Sequence, residues 1–128
     1  MSLRSPLGRV LGMGAAKEGV GHWWVQRVSS VALTVLTLWF LFALIALGDF
    51  SYPAVVTWIG GPLNAVLLTL LIVTTVYHTQ LGLQVVVEDY VPSAGPKILT
   101  MLAINFLLVL LGALGVFSVL RVAFGAVA

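Results

Sequence analysis

The sequence predicts an all-α membrane protein built on three transmembrane helices. Three observations predict it. Of 128 residues, 61% are hydrophobic and only 8% are charged, whereas a soluble domain carries about 25% charged residues; mean hydropathy is +1.16. Three runs, 28–47, 63–87 and 98–120, contain no Lys, Arg, Asp or Glu, and each reaches the roughly 20 apolar residues that cross about 30 Å of hydrocarbon. Between the runs, turn-forming residues gather: Pro53, Gly60, Gly61 and Pro62 in 48–62, and Pro92, Gly95 and Pro96 in 88–97. Helices are expected because lipid cannot satisfy free backbone groups, and the alternation of a membrane barrel is missing. A soluble globular protein is excluded, and one membrane-anchor domain over 1–128 leaves no room for a separate catalytic domain. With no cysteine there is no disulfide and no thiolate ligand. A net charge of +2 is too small and too scattered for nucleic-acid binding.

The N-terminal segment 1–27 holds Arg4, Arg9, Lys17 and Arg27, together with Gly8, Gly12, Gly14, Gly19 and Gly21. So many glycines argue against one stable helix there. No apolar stretch precedes a small-residue cleavage site, so it does not read as a secretory signal. Gly12-Met13-Gly14 follows no strand and lacks the third glycine of a nucleotide loop. Helix I spans 28–47. The connection after it bears one anion, Asp49, and no cation, with Phe50, Tyr52 and Trp58 as interfacial belt residues. Helix II spans 63–87 and helix III 98–120; Thr69, Thr74, Thr75 and Asn105 are read as packing residues that hydrogen-bond between helices. The cation bias sets the N-terminus and the loop with Lys97 in the cytoplasm and the C-terminus in the periplasm, with Arg121 the one cation against it.

His78 lies about 14 Å below the cytoplasmic end of helix II, near the midplane, where ionisable groups are costly and mark sites. Two readings stand: a neutral His sharing a hydrogen bond with a neighbouring helix, or a metal or haem ligand. Gly82, one turn on, would admit a flat macrocycle. His22 lies before helix I, too far in depth to share one iron with His78, so if an iron here has two His ligands the second must come from another chain. Asp89 falls about 20° from His78 on the helical wheel and about 16 Å nearer the cytoplasm. With Tyr90 it reads either as an acidic helix end with a belt tyrosine, or as a polar pocket that holds and protonates a small head group. In His22-Trp23-Trp24-Val25-Gln26-Arg27, the tryptophans are interfacial anchors or pocket neighbours, and Arg27 either anchors too or binds a propionate or carbonyl oxygen.

These residues, His78-x-x-x-Gly82 followed by Asp89-Tyr90-Val91 and the Trp-Trp-x-Gln-Arg approach to helix I, resemble the small hydrophobic membrane-anchor subunits of bacterial succinate dehydrogenase, respiratory complex II, in its alphaproteobacterial branch. The resemblance covers nearly the whole chain. It implies that His78 is one axial ligand of haem b, the other coming from a second membrane-anchor subunit, with which this chain packs into a haem-binding helical bundle. It implies that Tyr90, Asp89 and Arg27 belong to the ubiquinone-binding site, with Trp23 and Trp24 as pocket neighbours, and that Arg27 and His22 face the haem propionates. The implied partners are the second membrane anchor, an iron–sulfur subunit, a flavoprotein subunit and membrane lipid in the bacterial inner membrane, and the whole complex could associate into a higher oligomer. The chain would be non-catalytic alone. Two rivals remain at this level: the anchor of a quinol:fumarate reductase, and a non-redox three-helix assembly protein with a structural His78.

Overall fold

The computed structural model describes residues 19–125. Four helices follow one another: α1 (Gly19–Leu47), α2 (Tyr52–Gly60), α3 (Pro62–Tyr90) and α4 (Ala94–Ala123). The described residues form no strand. α1, α3 and α4 have 29, 29 and 30 residues, and all three are long and apolar enough to cross a membrane. At 1.5 Å per residue each is about 44 Å long, so each outruns the hydrocarbon and reaches the headgroup layers.

The helices therefore extend past the apolar runs at both ends of the molecule. Residues 19–27, expected to be non-helical, continue α1 upward, with Gly19 and Gly21 inside it. Glycine costs only about 1 kcal/mol in a helix interior, so two of them do not end a helix that runs on into the apolar stretch. Arg4, Arg9, Lys17, Gly8, Gly12 and Gly14 lie outside the described residues. The connection 48–62 is not a simple turn. Gly48 takes φ 67 and ends α1, as a left-handed residue after a helix commonly does. Asp49 then accepts hydrogen bonds from the Ser51 backbone N–H and hydroxyl, both 2.8 Å, and α2 follows with proline in its first turn. These two donors hold the Asp49 carboxyl below its ordinary range. Gly61, extended at φ −61, ψ 129, separates α2 from α3, and Asn64 donates to the Trp58 carbonyl at 2.7 Å across that break. At the other end, α3 runs to Tyr90 and α4 begins at Ala94, which shortens the expected 88–97 connection. There Lys97 Nζ donates to the Glu88 carbonyl at 3.0 Å, as a cation does at a helix C-terminus.

α3 is the central helix. It packs against both α1 and α4, which come within contact of α2 and α3 but not of each other. The α3–α4 seam closes on small residues. A Cβ at Gly112 would lie 3.1 Å from Val76, and one at Gly115 would lie 3.3 Å from Ile72, the close approach that glycine permits between membrane helices. A small core of Ala65, Leu68 and Val119 is ringed by Trp39, Phe40, Trp58, Ile59, Ile72 and Ala123. Trp58, expected in the interfacial belt, stacks instead on Trp39, centroids 6.2 Å apart and planes 17° from parallel. Phe50 and Tyr52 stay exposed. Thr69 and Thr75, expected to bridge helices, donate to the Ala65 and Leu71 carbonyls of their own helix, at 2.8 and 2.7 Å. A hydroxyl one turn on finds that carbonyl without needing a neighbour. The apolar core thus sits at the α2 end, and the polar groups of α1 and α3 meet at the other.

Candidate functional site

His78 stands about 18 Å below the C-terminal end of α3. It is half-buried, and α1 supplies its neighbours. Ser29 Oγ lies 3.0 Å from His78 Nδ1, and Gln26 Nε2 lies 3.5 Å from His78 Nε2. Ser29 is the buried polar side chain, 7% exposed. It also donates to the Gln26 carbonyl at 3.0 Å. These contacts fix the register of α1 against α3: His78 is level with Ser29.

Above that level, α1 and α3 bound a cleft of about 760 Å³, within the size range of small-molecule and cofactor sites. α1 contributes His22, Trp23, Gln26, Arg27 and Ser30; α3 contributes His78, Gly82, Gln84, Val85 and Glu88. The spacing is that of one helix face on each side. Gly82 keeps the floor open, since a Cβ there would lie 3.7 Å from the Gln26 amide. Arg27 lies over the Trp23 ring, 5.5 Å from its centroid, a cation–π contact that holds the guanidinium toward the cleft wall. Gln84 donates to Glu88 at 2.8 Å. Two polar atoms on the α1 wall, His22 Nε2 and Gln26 Oε1, are buried with no hydrogen-bond partner. Groups of this kind are explained by a ligand or bound water more often than by a defect.

Among the described residues, no three His, Cys, Asp or Glu side chains gather closely enough to hold a metal ion. A lone imidazole serves as the protein's ligand only for a metal that brings most of its own ligands, as haem iron does. The residues present fit such a group: one imidazole, a glycine beside it, and a guanidinium with a second imidazole higher in the same cleft.

His22, Trp23, Arg27 and His78, divided by sequence between a haem site and a quinone pocket, line one cleft in the structure. Trp24 is 61% exposed and lies outside it. Asp89 and Tyr90 are also outside, exposed at the end of α3, Tyr90 at 81%. Asp89 is only about 20° from His78 on the wheel, but the cleft follows the other side of α3, toward Glu88 at about 80°. The revised depth between His22 and His78 is about 10 Å, seven residues of rise above Ser29, rather than the 14 Å expected from the apolar runs. Gln26, Ser29 and Glu88 were not among the expected site residues. One signal for the first two was present: His22, Gln26 and Ser29 form a polar stripe at helical spacing on α1.

Comparison with known proteins gives the family. The family model described as succinate dehydrogenase/fumarate reductase transmembrane subunit matches residues 1–112. The succinate dehydrogenase hydrophobic membrane anchor subunit of Rickettsia bellii is 32% identical over 88 residues, 69% of this chain and 70% of that one. That of Paracoccus denitrificans is 28% identical over 116 residues, 91% and 89% of the two chains. The succinate dehydrogenase membrane anchor subunit of Reclinomonas americana is 29% identical over 92 residues, 70% and 77%. No solved structure matches the chain. With three apolar helices and these relatives, the chain is a multi-pass inner-membrane anchor that does not itself catalyse, and it belongs to the family of succinate dehydrogenase/fumarate reductase transmembrane subunits.

Proposed function

We propose that this anchor serves a succinate dehydrogenase by holding haem b through His78 and by forming part of the ubiquinone-reduction site. The carrying observation is His78 itself: an imidazole deep in a membrane helix, turned toward an open cleft whose α1 wall holds Arg27 and His22. Bound there, the haem would supply a one-electron carrier within the membrane. The chain's own residues do the rest. Gly82 leaves room for a planar ring. Arg27, steadied on Trp23, offers a fixed guanidinium to a propionate, for which its fork geometry is suited. His22 offers a second donor higher on the same wall.

A second His on the iron comes from another chain in this reading. His22 sits about 10 Å above the level of His78, so it would face the group's edge rather than share its metal. That chain is a second membrane-anchor subunit, and the whole assembly includes an iron–sulfur and a flavoprotein subunit on the cytoplasmic side. At that end Tyr90 and Asp89, exposed on the last turn of α3, present a phenol and a carboxylate to the quinone. Quinone reduction takes two electrons and two protons, so donors are needed at this edge. Tyr90 hydrogen-bonds a quinone carbonyl, and Asp89 returns protons from the cytoplasmic water.

The test is a reduced-minus-oxidised spectrum of the purified complex carrying His78→Ala. Loss of the b-type band, with succinate reduction of an artificial dye retained, is the expected result. An unchanged haem content and spectrum would overturn the ligand assignment.

A further inference from the structure

We propose that Ser29 is a positioning residue for His78: it holds the ring as the Nδ1–H tautomer and leaves the Nε2 lone pair toward the cleft. The inference rests on the reading of His78 as a haem ligand. It follows from counting protons at one hydroxyl. Ser29 Oγ has a single proton, and the Gln26 carbonyl, 3.0 Å away, can only accept it. The contact between Ser29 Oγ and His78 Nδ1, also 3.0 Å, therefore has the ring as donor. A neutral imidazole with its proton on Nδ1 has a free electron pair on Nε2. That nitrogen faces the Gln26 amide at 3.5 Å, a distance too long for a strong bond, so the amide is easily displaced.

The arrangement is the one a metal-binding imidazole needs. A ligating His donates its remote N–H to a fixed acceptor, which sets the tautomer, the plane of the ring and the basicity of the ligating nitrogen. Here the acceptor is itself locked. Ser29 is buried and bonded back to its own helix, so its oxygen cannot turn away without breaking that bond. Because Ser29 is on α1 and His78 on α3, the same contact also ties the ring plane to the register of the two helices.

The test uses the whole complex with Ser29→Ala, Ser29→Cys, Ser29→Thr and His78→Ala. Removing the remote partner of a metal-bound His commonly costs roughly ten-fold or more in affinity. Ser29→Ala is expected to lower haem retention by about that factor, to raise the haem midpoint potential and to shift the low-spin electron paramagnetic resonance signal as the ring plane turns. A ten-fold loss confined to the ferric form corresponds to about 59 mV for one electron. Ser29→Thr, which keeps the hydroxyl, restores all three. Ser29→Cys keeps the volume with a poor acceptor and carries the test if the alanine variant does not assemble. Wild-type potential, resonance signal and haem content in Ser29→Ala or Ser29→Cys, with haem lost in His78→Ala, would overturn the role of Ser29 alone. Reduced haem with unchanged potential and no rescue by threonine would make Ser29 a packing residue and also overturn it. So would failure of both Ala and Cys variants to assemble while the threonine variant does. Haem retained in His78→Ala would overturn the underlying reading instead.

Discussion

Arg27 and Tyr90 were grouped as quinone ligands by sequence, yet they stand at different depths. Arg27 is two residues above Ser29, about 3 Å, whereas Tyr90 is twelve above His78, about 18 Å. A charge-assisted hydrogen bond contributes about 1.5–3 kcal/mol, so Arg27→Ala is expected to weaken haem retention by roughly ten-fold or more, read as the haem-to-flavin ratio of the purified complex. Tyr90→Phe should leave that ratio unchanged. It should slow ubiquinone reduction by about ten-fold, the scale of one lost hydrogen bond, while dye reduction by succinate holds; equal loss in both assays would point to assembly damage. Asp49 gives a pH expectation on the opposite side. Its folded-state carboxyl is held below its ordinary range by the two Ser51 donors, so its contribution is present above the ordinary Asp value and fades as pH falls through the lowered one. The protection of the Ser51 amide, its exchange rate relative to the intrinsic rate at each pH, should therefore hold on mild acidification and fall only below the usual carboxylate range, while Asp49→Ala should lower it at neutral pH.

Between elements, the α3–α4 seam and the α1–α2 stack hold the helices together away from the cleft. A side chain at Gly112 would meet Val76, already 3.1 Å from an added Cβ. Overpacking of this kind costs about 1–3 kcal/mol, so Gly112→Leu should lower the thermal midpoint of the purified complex, while Gly95→Ala, with nothing within 4 Å of the added carbon, should not. The Trp39–Trp58 stack contributes about 0.5–1.5 kcal/mol beyond the area it buries. It lies at the α2 end, so Trp58→Ala should cost stability with little change in the haem spectrum. Polar residues divide by the same logic. Thr69 and Thr75 satisfy themselves on their own helices and report nothing about neighbours. Ser29 and His78 are satisfied by each other, and that pairing requires a particular register.

As a whole, the chain is a slab of helices with α3 in the middle and few interior side chains: Ala65, Leu68, Leu81, Val87 and Val119 form the buried apolar set. Most of its large apolar residues face outward, which suits lipid on some faces and a helical partner on others. One face of the cleft is open in the same way, because α1 and α3 wall it and α4 does not contribute. The chain produced without its partner subunits is expected to insert but to show no six-coordinate low-spin haem spectrum; co-production with the second anchor should restore it. A full low-spin spectrum from the chain alone would sink the two-chain ligation.

The amino-acid sequence by itself determined the membrane class and the three spans, and it singled out His78 within the second. Hydrocarbon demands about 20 apolar residues in one stretch and makes every ionisable group within it conspicuous. Arg27 was legible for the same reason, as a costly group beside an apolar run. Tertiary structure decided what no single helix specifies: that residues 19–27 are helical, that Trp58 stacks on Trp39, that the cleft turns toward Glu88 and away from Asp89, and that Ser29 meets His78. Hydropathy cannot tell where a helix stops once it leaves lipid, because polar interface and water solvate helix and coil alike. Nor can periodicity say which residue of one helix stands level with which residue of another. That register comes from side chains that meet across helices, here Ser29 and Gln26 on His78.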